Sequence, residues 1–177
     1  MGIKNNLCSN ENKNSEHNNK AEQTNPEAEK ILDKARASIG TYCYKECHAF
    51  CCRKGYLPVD DKAVNLLLGS IKDEYEKAGA LKKVKGHYAI YLNYRDGCPK
   101  LSKDFKCTVH NHPHRPAACR IFPIDLVDNK FIKLSSRCPA VKENLLYPYI
   151  AQLVLLGYKV VDYDFFTSIE FYDFDFN

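Results

Sequence analysis

The stretch TYCYKECHAFCC, Thr41 to Cys52, contains four of the nine cysteines of the chain. On a continuous helix, Cys43, Cys47 and Cys51 would share one face, and Cys52 would point about 100° away from them. In a loop, the backbone would instead wrap around a metal and donate its N–H groups to the sulfurs. Both arrangements gather sulfur ligands around one point, so this stretch predicts a metal site.

Four more cysteines follow, in the segments GCPKL, KCTVH, RPAACRIFP and RCPAV. Two of them, Cys98 and Cys138, directly precede a proline, which stiffens the loop that carries the thiolate. The remaining cysteine, Cys8, is isolated, and a small buried hydrophobic residue explains it equally well. Without it, eight thiols would satisfy two four-coordinate sites, or one site with four to spare. The predicted metal ligands are Cys43, Cys47, Cys51, Cys52, Cys98, Cys107, Cys119 and Cys138.

Histidines near these cysteines bear on the choice of metal. His110, His112 and His114 lie two residues apart in the segment HNHPHRP. Imidazoles mixed with thiolates would favour zinc over an iron–sulfur cluster. The alternative is that the three histidines form a polar surface turn. His48, inside the four-cysteine stretch, is a candidate ligand or a donor to a ligand.

Together, the segments CYKECHAFCC, GCPKL, CTVHNHPHRPAACRIFP and RCP resemble the YkgJ-like cysteine-cluster family, a zinc- or iron-chelating domain named for a CxxCxxCC signature. The resemblance runs from about Cys43 to Cys138, and RPAACRIFP, Arg115 to Pro123, is its most specific part. One departure is that three residues, not two, separate Cys43 from Cys47 and Cys47 from Cys51. The resemblance implies metal binding, with iron–sulfur and zinc both proposed and no general reaction assigned.

Two arginines, Arg115 and Arg120, flank Cys119. Their charges would lower the pKa of nearby thiols and stabilise a negatively charged cluster. The alternative is structural: Arg115 would begin a short helical turn, and Arg120 would pair with a carboxylate such as Asp125.

Composition predicts one domain with tails. The chain has 177 residues, of which 45% are hydrophobic, enough for one core. It has no apolar run of about 18 residues that would cross a membrane and no apolar N-terminal segment typical of a secretory signal. We therefore expect a cytoplasmic location, where thiols stay reduced and metal binding is the leading use of many cysteines.

The expected organisation has three parts: a disordered tail over 1–25, a cysteine-cluster metal-binding domain over 26–157, and an acidic, aromatic C-terminal segment over 158–177. The C-terminal segment is either an edge strand or a mobile tail. It is a candidate docking strip for a protein partner, and the alternative is that it packs back on the basic body of the domain. The net charge is +4, but the chain lacks an arginine-rich or glycine–aromatic motif, which argues against nucleic-acid binding.

Periodicity and turn residues predict an α+β fold, a small metal-centred domain of helices and short antiparallel strands. The predicted helices run from Pro26 to Gly40, from Asp60 to about Gly79, and over 139–156 with a kink or break at Pro148. The predicted strands cover 87–94, 106–110 and 130–134.

These patterns support three functional hypotheses. In the first, thiolates hold an iron–sulfur cluster in an electron-transfer or redox module. In the second, they hold a structural zinc ion. In the third, a metal-dependent enzyme of unknown reaction uses the three histidines with Glu46 or Asp104 as helpers. The chain has no glycine-rich phosphate-binding motif.

Overall fold

A computed structural model describes residues 25–84 and 86–161. The helices in these ranges are α1 (Pro26–Ser38), α2 (Gly40–Lys45), α3 (Asp61–Leu68), α4 (Lys72–Lys77), α5 (Ala117–Ile121), α6 (Pro139–Lys142) and α7 (Tyr147–Leu155). The strands are β1 (Tyr56–Val59), β2 (Leu81–Val84), β3 (His87–Tyr91), β4 (Ile124–Val127), β5 (Phe131–Leu134) and β6 (Lys159–Val161). They form two small sheets, which confirms the α+β fold class.

Helix α1 begins where its sequence predicts but ends at Ser38, and Gly40, the predicted stop, instead begins α2. The Asn25 side chain accepts a hydrogen bond of 2.9 Å from the Glu27 N–H, and Pro26 occupies the first turn. The helix buries one face, formed by Ala28, Ile31, Leu32 and Ala35. This face packs against β4, β5, α6 and α7 in the first of two hydrophobic cores.

The first sheet has the order β1-β3-β2 and is antiparallel throughout. Its side chains pack with α3 and α4 in the second hydrophobic core. The predicted helix from Asp60 to Gly79 is divided, because the backbone at Gly69 has φ +50° and a 3-10 turn separates α3 from α4. The predicted strand over 87–94 ends at Tyr91 and continues as a 3-10 turn.

The second sheet has the order β4-β5-β6, with β4 antiparallel and β6 parallel to the central strand. The strand predicted over 130–134 is confirmed as β5. The strand predicted over 106–110 is wrong, because this segment makes a single bridge, from Cys107 to Leu101, and then turns. The helix predicted over 139–156 breaks into α6 and α7, with Pro148 in the first turn of α7, where its missing N–H costs nothing.

The two predicted tails lie mostly outside the described ranges. Residues 1–24, including Cys8, and 162–177 fall outside them. Within 158–161, Tyr158 is buried and β6 forms the edge of the second sheet. Within the described residues, no helix is both long and apolar enough to cross a membrane.

Candidate metal centre

The four-cysteine stretch folds as two short helices joined by a tight turn. Cys43 lies in α2, Cys47 lies just after it, and Cys51 and Cys52 lie in a 3-10 helix over Phe50–Cys52. The turn reverses the chain through two residues with φ +50°, His48 and Ala49. A 2.7 Å hydrogen bond from the Ala49 N–H to the Cys43 carbonyl closes it. The continuous helix considered for this stretch is therefore excluded.

A second loop brings downstream cysteines beside Cys52. The Cys98 N–H donates to the Cys52 carbonyl at 2.7 Å. Gly97 has φ +122°, and a Cβ there would lie 2.9 Å from the same carbonyl oxygen. Cys107 pairs with Leu101 across a short hairpin. The hydrogen bond from Cys98 to Cys52 therefore brings the Cys98 loop, which is distant in sequence, beside the Cys51–Cys52 pair.

Both Cys-Pro steps place backbone N–H groups on a sulfur. The Lys100 N–H donates to the Cys98 thiol, and the Ala140 and Val141 N–H groups donate to the Cys138 thiol. Each bond lowers the pKa of its cysteine, although burial outweighs it. Such amide-to-sulfur bonds are characteristic of metal-bound thiolates.

Arg115 connects α5 to the cysteine loops. Its Nη2 donates to the Cys119 carbonyl at 2.8 Å, and its Nη1 donates to the His110 carbonyl at 3.2 Å. Its buried Nε has no hydrogen-bond partner within the described residues. A buried cationic donor without a partner fits an adjoining anionic sulfur group.

Arg120, the second arginine of this segment, makes different contacts. Arg120 donates to the Pro113 carbonyl at 3.2 Å. Asp125 pairs instead with Arg36 of α1, at 3.4 Å. The structural alternative that paired Arg120 with Asp125 is therefore wrong.

The eight cysteines are free thiols, seven of them partly buried and Cys138 buried. Burial is the largest cause that raises the pKa of Cys43 and Cys119 to about 12 each and that of Cys98 to about 11. These thiols are therefore protonated and uncharged at neutral pH in the metal-free chain. A metal that binds them must displace their protons.

Cys51 and Cys52 are hydrogen-bonded to each other through their thiols, with 4.0 Å between the sulfurs. The hydrogen bond with Cys52 is the largest cause that raises the pKa of Cys51. The same bond, followed by the charges of Arg115 and Arg137, lowers the pKa of Cys52 to about 7. Both arginine charges thus lower the pKa of Cys52, which supports the electrostatic interpretation of Arg115.

The histidines near the cysteines make contacts with other residues. The His48 ring packs on Phe105 with 4.7 Å between ring centroids. His110, His112 and His114 lie in a turn, where His112 Nδ1 accepts a 3.1 Å hydrogen bond from the His114 N–H. Burial is the largest cause that lowers the pKa of His110. The surface-turn alternative therefore describes these three histidines better than a zinc site.

Asp104, one of the two candidate catalytic carboxylates, is poorly suited to act as a base. Asp104 accepts a 2.6 Å hydrogen bond from Ser102 Oγ and pairs with Lys106 at 3.2 Å, and the hydrogen bond is the largest cause that lowers its pKa. Glu46 is exposed at the end of α2. Among the described residues, no three histidine, cysteine or carboxylate side chains are positioned to hold an ion as they stand. Metal binding therefore requires the thiols to lose their protons and to move together around the metal.

Sequence reasoning missed two residues of this region, Gly97 and Arg137. Arg137 donates to the Lys54 carbonyl and lies over Gly55, where a Cβ would meet its Nη2 at 2.7 Å. The position of each, directly before a Cys-Pro step, is the signal that would have found them.

Comparison with protein families places residues 42–139 in the CxxCxxCC domain, described as a "putative zinc- or iron-chelating domain". Comparison with curated proteins gives no match, and neither does comparison with solved structures. The family match covers more than half of the chain and spans all eight cysteines from Cys43 to Cys138. The chain therefore belongs to the CxxCxxCC family of zinc- or iron-chelating domains.

Proposed function

We propose that the cysteine thiolates of this protein hold an iron–sulfur cluster and that the protein is an electron-transfer or redox module. The observation that carries this proposal is the set of eight free thiols, whereas the neighbouring histidines pack on Phe105 or lie in an exposed turn. Four cysteine thiolates are the usual ligands of such clusters. The Cys-Pro steps, with amide N–H groups on the sulfurs of Cys98 and Cys138, fit the same chemistry.

The charges near Cys52 support this proposal. A cluster held by four thiolates carries net negative charge, and both Arg115 and Arg137 act on Cys52. Hydrogen bonds and positive charge near the sulfurs raise the reduction potential of a cluster. The unpartnered Nε of Arg115 is available to donate to a thiolate or a sulfide.

Purification under anaerobic conditions tests the proposal. We expect a brown protein with broad sulfur-to-iron charge-transfer absorption and with iron and acid-labile sulfide in equal amounts. The Cys8→Ser variant is the matched control, because it removes a thiol that the proposal leaves out, and it should keep the same spectrum. A colourless protein with stoichiometric zinc and no sulfide would replace this proposal with a structural zinc domain.

A further inference from the structure

The eight cysteines divide at the peptide bond between Cys51 and Cys52. We propose that they form two separate four-thiolate metal centres that touch at this bond. The first centre consists of Cys43, Cys47, Cys51 and Cys138. The second centre consists of Cys52, Cys98, Cys107 and Cys119. This inference rests on the proposed function only in requiring that the thiolates bind a metal.

The two centres belong to different hydrophobic cores. Cys138 is a member of the core under the second sheet, and Cys43 packs against that core. Cys98 packs against the core under the first sheet. Each centre is therefore anchored to a different half of the fold.

Local hydrogen bonds hold the first centre together. The Cys47 thiol donates to the Cys43 carbonyl, with 3.4 Å between sulfur and oxygen. The Ala49 N–H donates a hydrogen bond to the same carbonyl and so closes the turn that follows. Cys138 lies at the start of α6, in a distant part of the chain, and belongs to the core against which Cys43 packs.

A separate set of contacts holds the second centre. The Cys98 N–H donates to the Cys52 carbonyl, and the Leu101 N–H donates to the Cys98 carbonyl at 2.9 Å. Leu101 also pairs with Cys107. Arg115 fixes Cys119 through its carbonyl. Cys98, Cys107 and Cys119 are thus tied to the Cys98 hairpin or to α5. Cys52 connects them to the turn of the first centre, because its own N–H donates to the Ala49 carbonyl at 2.9 Å.

The two neighbouring thiols meet at the junction of the two centres, where Cys51 and Cys52 occupy a 3-10 helix. Their sulfurs remain 4.0 Å apart, in van der Waals contact. Two metal centres whose ligands touch are close enough for electrons to pass between them.

The first centre also has a chemical precedent in its arrangement. Three cysteines from one stretch are joined by a fourth that precedes a proline elsewhere in the chain. In two-cluster bacterial ferredoxins, a run of three cysteines is likewise completed by a remote cysteine followed by proline. The second centre uses the other Cys-Pro step, at Cys98.

The test compares total metal per chain, iron plus zinc, in anaerobically purified full-length variants. Cys47→Ser and Cys138→Ser alter the first centre, and Cys107→Ser and Cys119→Ser alter the second. The double variant Cys47→Ser/Cys107→Ser alters both, and Cys8→Ser alters neither. Using two variants per centre, with circular dichroism, separates loss of a ligand from failure to fold.

We expect at least one folded single variant of each centre to keep about half of the wild-type metal, the double variant to keep almost none, and Cys8→Ser to keep all of it. Loss of all metal from every single variant would overturn the inference in favour of one shared site. Full retention in either pair would overturn it in favour of one site with four spare thiols. The expected loss of half of the metal does not depend on which metal is bound. Zinc without sulfide would therefore contradict the iron–sulfur proposal and leave the inference of two centres standing.

Discussion

Gly97 determines how closely the Cys98 loop approaches the Cys51–Cys52 pair. Its φ of +122° is a conformation that residues with a side chain rarely adopt. A Cβ there would also lie 3.1 Å from the Cα of Arg53. The position therefore combines backbone strain with a steric conflict against backbone atoms.

We expect Gly97→Ala to lower both the free energy of unfolding, by about 1–3 kcal/mol from strain alone, and the metal content. Gly79→Ala is the matched control, because Gly79 has φ +67° and nothing within 4 Å of an added Cβ. The control should lose stability and keep its metal. Chemical denaturation and metal analysis measure the two effects, and equal metal content in both variants would contradict the assignment.

Arg115 is the second residue on which the candidate site depends. Because its charge lies near Cys52, Arg115→Gln should shift the reduction potential of the bound cluster to a more negative value. Arg115→Lys, which keeps the charge, should restore most of the potential. Redox titration measures both variants, with Arg120→Gln as a control that should not shift. A potential that is unchanged in Arg115→Gln would show that the arginine is only structural.

Among the elements, α7 contributes to the core with one side and exposes the other. Leu153 is fully buried, whereas Leu155 is 86% exposed. We expect Leu153→Ala to reduce the free energy of unfolding by about 2–5 kcal/mol, since it removes buried methyl groups and leaves a cavity. Leu155→Ala should change it by less than about 0.5 kcal/mol. Denaturation curves of the two variants test this, and similar losses in both would contradict the packing of α7.

Local signals predicted some elements and not others. Helix α1 was predictable because its cap, first-turn proline and apolar spacing are all encoded within the helix. The strand predicted at 106–110 failed because Cys107 finds one partner only, Leu101, and no apolar pattern reveals that. The parallel pairing of β6 with β5 depends on tertiary packing, which the sequence of β6 does not encode.

The candidate metal centre, too, could be predicted from the sequence only in part. Its cysteines were predictable as a group from their number and from the Cys-Pro steps. Their division into two sets was not, because it depends on the Gly97 contact with Cys52 and on the separate cores that hold Cys43 and Cys98. These are contacts between segments far apart in the chain.

In the whole molecule, two small cores are joined through loops that carry the cysteines. Metal binding to such loops adds directly to folding stability. We expect the metal-free protein to unfold at a lower temperature than the loaded protein, by several degrees or more. The metal-free protein can be prepared with a chelator and followed by calorimetry. The double variant Cys47→Ser/Cys107→Ser should not respond to the chelator, and an equal response in it would show that the effect does not come from these thiols.

X-ray absorption at the iron and zinc edges of the anaerobically purified protein tests the central claim most directly, because it reports the metal, its ligand atoms and its metal neighbours together. The account predicts an iron edge with sulfur alone in the first shell and a short iron–iron distance beyond it. A zinc edge with four sulfurs at about 2.3 Å and no iron, or iron bound mainly by nitrogen and oxygen, would contradict it.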